Sequence, residues 1–211
     1  MVVPGPGVLN AGAGLATAYG SNSKVLLLAA QIHSTAIGGG YGQLHEIRDQ
    51  TGLIAGLTKW STRIKARHEI SGAIDSAFAA MHDGRPRPAG VEIPYDLLIA
   101  KNEEPEHARP ADRARPLETG AADIARAAAL INNARFPVLY VGGGIVAAGA
   151  GAKLQRLAEK IGAPVVMSDN GRGALSDRHP LAMNTLAGRP LFEVADVAVV
   201  IGSRFMDSML P

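Results

Sequence analysis

Short apolar runs that alternate with helix-like segments constrain the fold of this chain more than any other feature of its sequence. The run at 24–31 is continuous and lies between polar turns, and shorter runs follow at 89–93 and 197–201. Such runs are typical of parallel strands buried on both faces, and we expect the first to lie centrally in its sheet. Helical periodicity at 68–82 and 121–133 separates them. This order predicts an α/β fold with parallel sheets.

The composition restricts the class of protein. Hydrophobic residues make up 47% of the 211 residues, which is ordinary for a packed globular chain and argues against overall disorder. Lys and Arg number 21 against 19 Asp and Glu and are scattered, so no nucleic-acid-binding surface is indicated. The absence of cysteine excludes disulfides and thiolate metal sites. The apolar runs are too short to span a bilayer, and we expect a soluble, cytoplasmic protein without a membrane partner.

A charged and proline-rich segment at 100–116 divides the chain. It reads AKNEEPEHARPADRARP, has almost no large apolar residue and therefore cannot bury a core. We predict a linker there, between a first domain at 1–99 and a second domain at 117–211. Either side holds few strand-like runs for a sheet of typical size, and Val2 and Val3 resemble a strand end. Both domains are therefore expected to be partial.

A glycine triplet, Gly142 to Gly144, follows a strand-like run and precedes a helical segment. Backbone N–H groups at such a helix start can hold a nucleotide phosphate. The pattern G-x-G-x-x-G is missing, however, and no acidic residue stands where a ribose contact is expected. A phosphate-binding turn and a plain tight turn therefore remain equal alternatives, and dehydrogenase activity is not indicated.

Several sequence blocks occur in a distinctive order and spacing. In the first domain they are VVPGPGVLNAGAGLATAY, the apolar run ending at Gln31, GQLHEIRDQTGLIAGLTKWSTRI and GRPRPAGVEIPYDLL. Together they resemble the second half of the pyrimidine-binding domain of thiamine diphosphate-dependent enzymes of the acetolactate synthase type. Downstream, ARFPVLYVGGGIVAAGAGAKLQRLAEKIGAPVV, DNGRGALSDRHPL and ADVAVVIGSRF are similar to the Rossmann-like central domain of that family. The resemblance extends from Val2 to Phe205.

The resemblance implies a cofactor-binding role for part of the first domain. It places the turn Gly5-Pro6-Gly7 and Asn10 beside the aminopyrimidine ring of thiamine diphosphate. It also places Gln31 and the loop at 40–46, including Glu46, near the mouth of the active site. Acetolactate synthases have a glutamine near the position of Glu46, so the substrate contacts there differ from the family pattern.

The resemblance also implies that the catalytic machinery lies outside these residues. In the family, a glutamate upstream of the Gly-Pro-Gly turn makes the aminopyrimidine amino group a base. The diphosphate and Mg²⁺ are held by a third domain with a Gly-Asp-Gly motif. No catalytic residue and no metal ligand is therefore assigned here, and we expect the chain alone to be inactive with thiamine diphosphate and Mg²⁺.

The central domain of the family holds FAD in acetolactate synthases and ADP, another nucleotide or nothing in relatives. Gly143, Asn170, Gly202 and Arg204 fall at the strand ends that would face such a ligand. An arginine there can pair with a diphosphate, although an exposed, solvated arginine is an equal alternative.

Two functional interpretations follow. In the first, the chain is part of a homo-oligomeric enzyme that makes or breaks a carbon–carbon bond next to the carbonyl of a 2-oxo acid. In the second, it is a non-catalytic nucleotide-binding or regulatory module that kept the fold.

Overall fold

The computed structural model describes residues 1–101 and 119–205, which fall into two compact units. The units are Met1–Pro116 and Leu117–Pro211. All but the first two residues of the predicted linker at 100–116 lie outside the described residues. Each unit combines helices with a parallel sheet, so the predicted α/β class is confirmed. No helix among the described residues has both the length and the apolar character needed to cross a membrane.

The first unit contains a three-stranded parallel sheet with helices between its strands. In chain order its elements are α1 (Pro6–Ser21), β1 (Leu26–Gln31), a 3-10 turn (Ser34–Ala36), α2 (Gln50–Leu57), β2 (Trp60–Arg63), α3 (Glu69–His82), β3 (Ala89–Pro94) and α4 (Tyr95–Ile99).

The central strand of this sheet is β3, because the strand order is β1-β3-β2. The prediction that the run at 24–31 lies centrally is therefore wrong. All six residues of β3 are buried, whereas burial in β1 alternates, with Leu26 and Leu28 only half-buried. On the outer side of β1, Val2 forms an isolated parallel bridge with Ala29, which agrees with the strand-like character of the N-terminal valines.

Helix α1 begins at a glycine turn. Gly5 has a φ of 56° and precedes Pro6, whose fixed φ suits the first helical position. A Cβ atom on Gly5 would overlap the carbonyl oxygen of His45, so both the backbone conformation and the close approach require glycine. The helix packs Val8 and Leu15 into the core and exposes most of its other residues.

Helix α2 begins at Gln50, and the residues directly before it form a loop up to Asp49. Asp49 caps this helix, because its carboxylate accepts a hydrogen bond of 2.8 Å from Gly52 N–H. Before the cap, Glu46 accepts bonds from Gly40 and Gln43 backbone N–H groups and holds the preceding residues in turns.

The second unit contains a four-stranded parallel sheet in the order β6-β5-β4-β7. In chain order its elements are α5 (Ala121–Asn133), β4 (Pro137–Val141), α6 (Gly143–Ala147), α7 (Gly151–Ile161), β5 (Val165–Met167), a 3-10 turn (Asp169–Gly171), β6 (Ala182–Asn184), α8 (Thr185–Gly188), a 3-10 turn (Arg189–Glu193) and β7 (Val197–Ile201).

The second unit departs from the sequence-based expectation at two short elements. The helix α6 begins within the glycine triplet, at Gly143, and ends before the longer helix α7, which begins at Gly151. The short strand β6 was not predicted, because three residues with no apolar alternation carry little signal. The strands β4 and β5 are fully buried, and Leu154 and Ala158 of α7 pack against one face of the sheet.

Gly5→Ala is expected to destabilise the first unit by about 1–3 kcal/mol, because the new methyl group both strains the positive φ and overlaps His45. The matched control is Gly14→Ala, also in α1, where nothing lies within 4 Å of the added Cβ. That change is expected to stabilise by up to about 1 kcal/mol through helix propensity. Urea unfolding followed by the fluorescence of Trp60 measures both. Equal effects of the two substitutions would contradict this account of the turn.

Candidate functional site

The buried carboxylate of Glu92 is the centre of a polar network in the first unit. Glu92 lies in the middle of β3 and is 1% exposed. Its Oε1 accepts hydrogen bonds from Gln31 Nε2 at 2.5 Å and from Gln50 Nε2 at 3.1 Å. Its Oε2 accepts one from the Thr51 hydroxyl at 2.5 Å. Three donors therefore replace the water that a buried carboxylate loses.

Gln50 connects this carboxylate to the glycine turn at the start of α1. The Gln50 side chain is 2% exposed and stands at the first position of α2. Its Nε2 donates to Glu92 and to the Ala30 carbonyl at 3.0 Å, and its Oε1 accepts a bond of 2.7 Å from Gly5 N–H. Every polar atom of the carboxamide thus has a partner, and the partners fix which end faces the turn.

Gln31, a predicted site residue, is a further donor to the Glu92 carboxylate. It ends β1 and is 4% exposed. Its Nε2 donates to Glu92 and its Oε1 accepts from Ile32 N–H at 2.8 Å. Through Glu92 and Gln50, the structure brings Gln31 into one network with Gly5.

The loop at 38–48, which we call the glycine loop, lies against the same turn. Its carbonyl oxygen at His45 and the side chain of Ile47 are the nearest atoms to the Cβ position of Gly5. Glu46 shapes the loop by accepting from Gly40 N–H at 3.1 Å and Gln43 N–H at 2.9 Å. An open groove of ≈ 380 Å³ is lined by this loop. Its lining residues are Gly38, Gly40, Gly42, Glu46, Ile47 and Arg48.

The outer side of the turn presents exposed groups. Pro6 and Asn10 are both exposed, whereas Gly5 is buried and Gly7 is half-buried. A Cβ atom on Gly7 would lie 2.8 Å from the side chain of Val3, so the backbone packs closely on the N-terminal residues here. The turn is therefore held from beneath and accessible from outside.

Asp96 fixes the segment that follows β1. Its carboxylate accepts from Ser34 N–H at 2.9 Å and from the Ser34 hydroxyl at 2.8 Å. Burial raises the pKa of Asp96, but the hydrogen bonds from Ser34 outweigh it and leave the pKa below its ordinary value. The carboxylate thus ties the residues after Gln31 to α4, which directly follows β3.

In the second unit, glycines pack against one another where β4, β5 and β7 end. Gly144 N–H donates to the Gly202 carbonyl at 2.9 Å, and a Cβ atom on Gly144 would lie 2.7 Å from Gly202 Cα. Gly202 has a φ of 60°, and a Cβ atom there would lie 2.7 Å from Ile145 N. Gly171 likewise approaches the backbone of Val141. Internal packing therefore requires glycine at these positions, independently of any ligand.

Three of the four residues predicted for a nucleotide lie together at this edge. A Cβ atom on Gly143 would lie 3.1 Å from the Asn170 carbonyl oxygen, and Gly202 adjoins the next residue of the triplet. Asn170 is exposed at the turn that follows β5. Arg204 lies two residues beyond Gly202 and is also exposed. The neighbouring Phe205 packs edge-on against Tyr140, with ring centroids 5.0 Å apart.

Sequence reasoning missed Gln50, Thr51 and Glu92, which hold the first-unit network together. One signal was present, because a charged residue in the middle of the apolar strand run at 89–93 must find buried partners. The partners themselves come from α2, 41 and 42 residues earlier in the chain. No local pattern connects positions so far apart.

No group of three or more His, Cys, Asp or Glu side chains is placed to hold a metal ion within 1–101 and 119–205. The carboxylate of Glu92 accepts hydrogen bonds from the side chains of Gln31, Gln50 and Thr51.

Comparison with known proteins shows which proteins this chain is similar to. Residues 124–210 match the family model described as thiamine pyrophosphate enzyme, central domain. A probable acetolactate synthase large subunit of Methanocaldococcus jannaschii is 34% identical over 96% of this chain and 36% of its own length. The acetolactate synthase isozyme 3 large subunit of Escherichia coli is 33% identical over 98% of this chain and 37% of its own length.

A probable 2-ketoarginine decarboxylase of Pseudomonas aeruginosa is 32% identical over 98% of this chain and 37% of its own length. The chain thus spans little more than a third of the length of these relatives. The matches cover the chain almost completely, and they agree with the resemblance of both halves of the sequence. Residues 124–210 thus belong to the central domain of thiamine pyrophosphate enzymes, and the chain as a whole is acetolactate synthase-like.

Proposed function

We propose that this chain forms part of a thiamine diphosphate-dependent enzyme that makes or breaks a carbon–carbon bond next to the carbonyl of a 2-oxo acid. The observation that carries the proposal is the anchored turn Gly5-Pro6-Gly7, which the Gln50 carboxamide holds from beneath while Pro6 and Asn10 stay exposed. Both synthases and a decarboxylase are among the relatives, and the proposal covers either reaction. We place the whole enzyme in the cytoplasm as a homo-oligomer.

In this proposal the residues of the first unit bind and orient the aminopyrimidine ring. The exposed Asn10 offers a carboxamide on the helix that starts at the turn, and the groove along the glycine loop offers space for a small 2-oxo acid. When bound, the cofactor supplies the nucleophilic carbon and stores the electron pair of the broken bond. We assign no proton transfer to this chain and route no step through Mg²⁺.

The domain assignment belongs to the same proposal. We assign residues 1–99 to the pyrimidine-binding part and 117–211 to the central domain, with the linker at 100–116 between them. The family match at 124–210 supports the second assignment, and the Gly5 turn and the relatives' coverage support the first.

Nucleotide binding by the second unit is a further candidate function. Gly143, Asn170 and Gly202 meet at the carboxyl ends of three parallel strands, where open α/β sheets bind their ligands. Arg204, an exposed residue nearby in the chain, adds a guanidinium group of the kind that suits a diphosphate. FAD or an adenine nucleotide fits this chemistry. If the second unit binds a nucleotide and the first does not bind thiamine, the module interpretation replaces the enzyme interpretation.

Thiamine diphosphate is expected to shift the backbone NMR signals of Gly5, Gly7 and Asn10, because a ring bound over the exposed Pro6 and Asn10 would change the surroundings of the turn and of the first residues of α1. Asn10→Ala should weaken binding by about three- to tenfold, the effect of one lost hydrogen bond. Thr17→Ala is the matched control, since Thr17 is exposed on the same helix and donates to Ala13 within it.

Two outcomes of this experiment would contradict the proposal. Shifts that inorganic pyrophosphate reproduces without the pyrimidine ring, or equal losses in both variants, would refute a ring site at the turn.

FAD or ADP is expected to shift the signals of Gly143, Asn170 and Gly202 if the second unit holds a nucleotide. Arg204→Ala should then weaken binding by about tenfold, as one charge-assisted hydrogen bond does. Arg156→Ala on α7 is the charge-matched control and should leave affinity within a factor of two to three. Shifts spread over both units, or the same loss in both variants, would identify non-specific attraction of an anion instead.

A further inference from the structure

We infer that Glu92 is a positioning residue for the Gly5 turn, acting through the carboxamide of Gln50. The importance of Glu92 for a ligand rests on the proposed function, in which the Gly5 turn binds the aminopyrimidine ring. The positioning itself concerns only this chain. Nothing in the sequence or in the family resemblance assigns a role to Glu92, Gln50 or Thr51.

The first step of the inference is the orientation of two buried amides. A carboxamide can sit in two orientations that exchange its oxygen and nitrogen, and only its partners distinguish them. An acceptor without protons selects the nitrogen end, and Glu92 Oε1 faces Nε2 of both Gln31 and Gln50. The opposite ends are thereby left as oxygens, which face the N–H groups of Ile32 and Gly5.

The second step concerns what would happen without the carboxylate. With an apolar side chain at position 92, the Nε2 atom of Gln50 would keep only the Ala30 carbonyl as acceptor. The preference for the present orientation would weaken, and the flipped amide would point a donor at the Gly5 N–H. The hydrogen bond that holds the turn from beneath would then be lost for part of the time.

The third step distinguishes the roles of the two oxygen atoms of the Glu92 carboxylate. Oε1 serves the two amides, whereas Oε2 accepts from the Thr51 hydroxyl. Thr51 in turn lies 3.5 Å from Nη1 of Arg63, the residue that pairs with Glu92 in register on β2. Removing the Thr51 hydroxyl therefore disturbs the same buried charge without touching the acceptor that orients Gln50.

The test is amide hydrogen exchange measured by NMR in the full chain. The quantity that decides is the exchange rate of Gly5 N–H divided by that of Ala89 N–H, which donates to the Val25 carbonyl at 3.0 Å and reports the β1–β3 ladder. Glu92→Met should raise this ratio by about tenfold or more, because the Gly5 amide opens locally while the sheet persists. Thr51→Val should leave the ratio within about threefold of the unsubstituted chain.

Two further variants at position 92 complete the test, one as a rescue and one as a replacement for Glu92→Met. Glu92→Gln offers a carbonyl oxygen to both amides and should keep the ratio within about threefold, as a positioning role requires. Glu92→Asp shortens the reach of the carboxylate and should raise the ratio, so it replaces Glu92→Met if that variant does not fold. An unchanged ratio in the folded Glu92→Met or Glu92→Asp chain overturns the inference, and so does an equal rise in Thr51→Val.

Thiamine diphosphate binding, measured on the same samples, separates this inference from the proposed function. If the unsubstituted chain does not bind the ring but the Gly5 ratio rises in Glu92→Met, the ring site fails and the positioning role stands. If the ring binds equally to the unsubstituted chain and to Glu92→Met with an unchanged ratio, the ring site stands and the positioning role fails.

Discussion

The buried carboxylate of Glu92 is the interaction on which the arrangement of the first unit depends. A charge that is 1% exposed is costly unless hydrogen bonds replace its water, and here the replacement donors come from β1 and α2. The need of Glu92 for hydrogen-bond donors thus fixes how β1 and α2 pack against the central strand β3. Gln50 also accepts a hydrogen bond from Gly5 N–H, so the same network holds the turn at the start of α1.

The second unit places its candidate residues by a different physical means. Its strand ends contain no buried charge among the described residues, and the backbones approach each other so closely that side chains are excluded at Gly144, Gly171 and Gly202. Close backbone packing sets the position of Asn170 and of the segment that leads to Arg204. A polar network and a glycine cluster therefore perform the same task, which is to hold exposed groups at the carboxyl edge of a parallel sheet.

Helices and strands were predicted correctly where the sequence has a long periodic or apolar run bounded by polar residues or turns. Helices α3, α5 and α7 and the strands β3, β4 and β7 lie where their patterns indicated. The central position of β1 was wrong, because apolar length does not reveal which neighbour covers a strand; the run of β3 is shorter, yet all of it is buried. The start of α2 at Gln50 could not be predicted, because specific hydrogen bonds of the Glu46 carboxylate and of the Asp49 cap decide it. The candidate residues were found from resemblance, whereas the network beneath them depends on contacts between distant positions.

A double-mutant cycle between Gln50 and Glu92 tests the central claim most directly. The free energy of unfolding of the first unit, followed by Trp60 fluorescence in urea, is compared for Gln50→Met, Glu92→Met and the double variant. Because the two side chains share one hydrogen-bonded network, we expect a coupling energy of at least about 1 kcal/mol, with the double variant less destabilised than the sum of the single ones. Additive effects, within about 0.5 kcal/mol, would show that Glu92 and Gln50 act independently and would contradict the account.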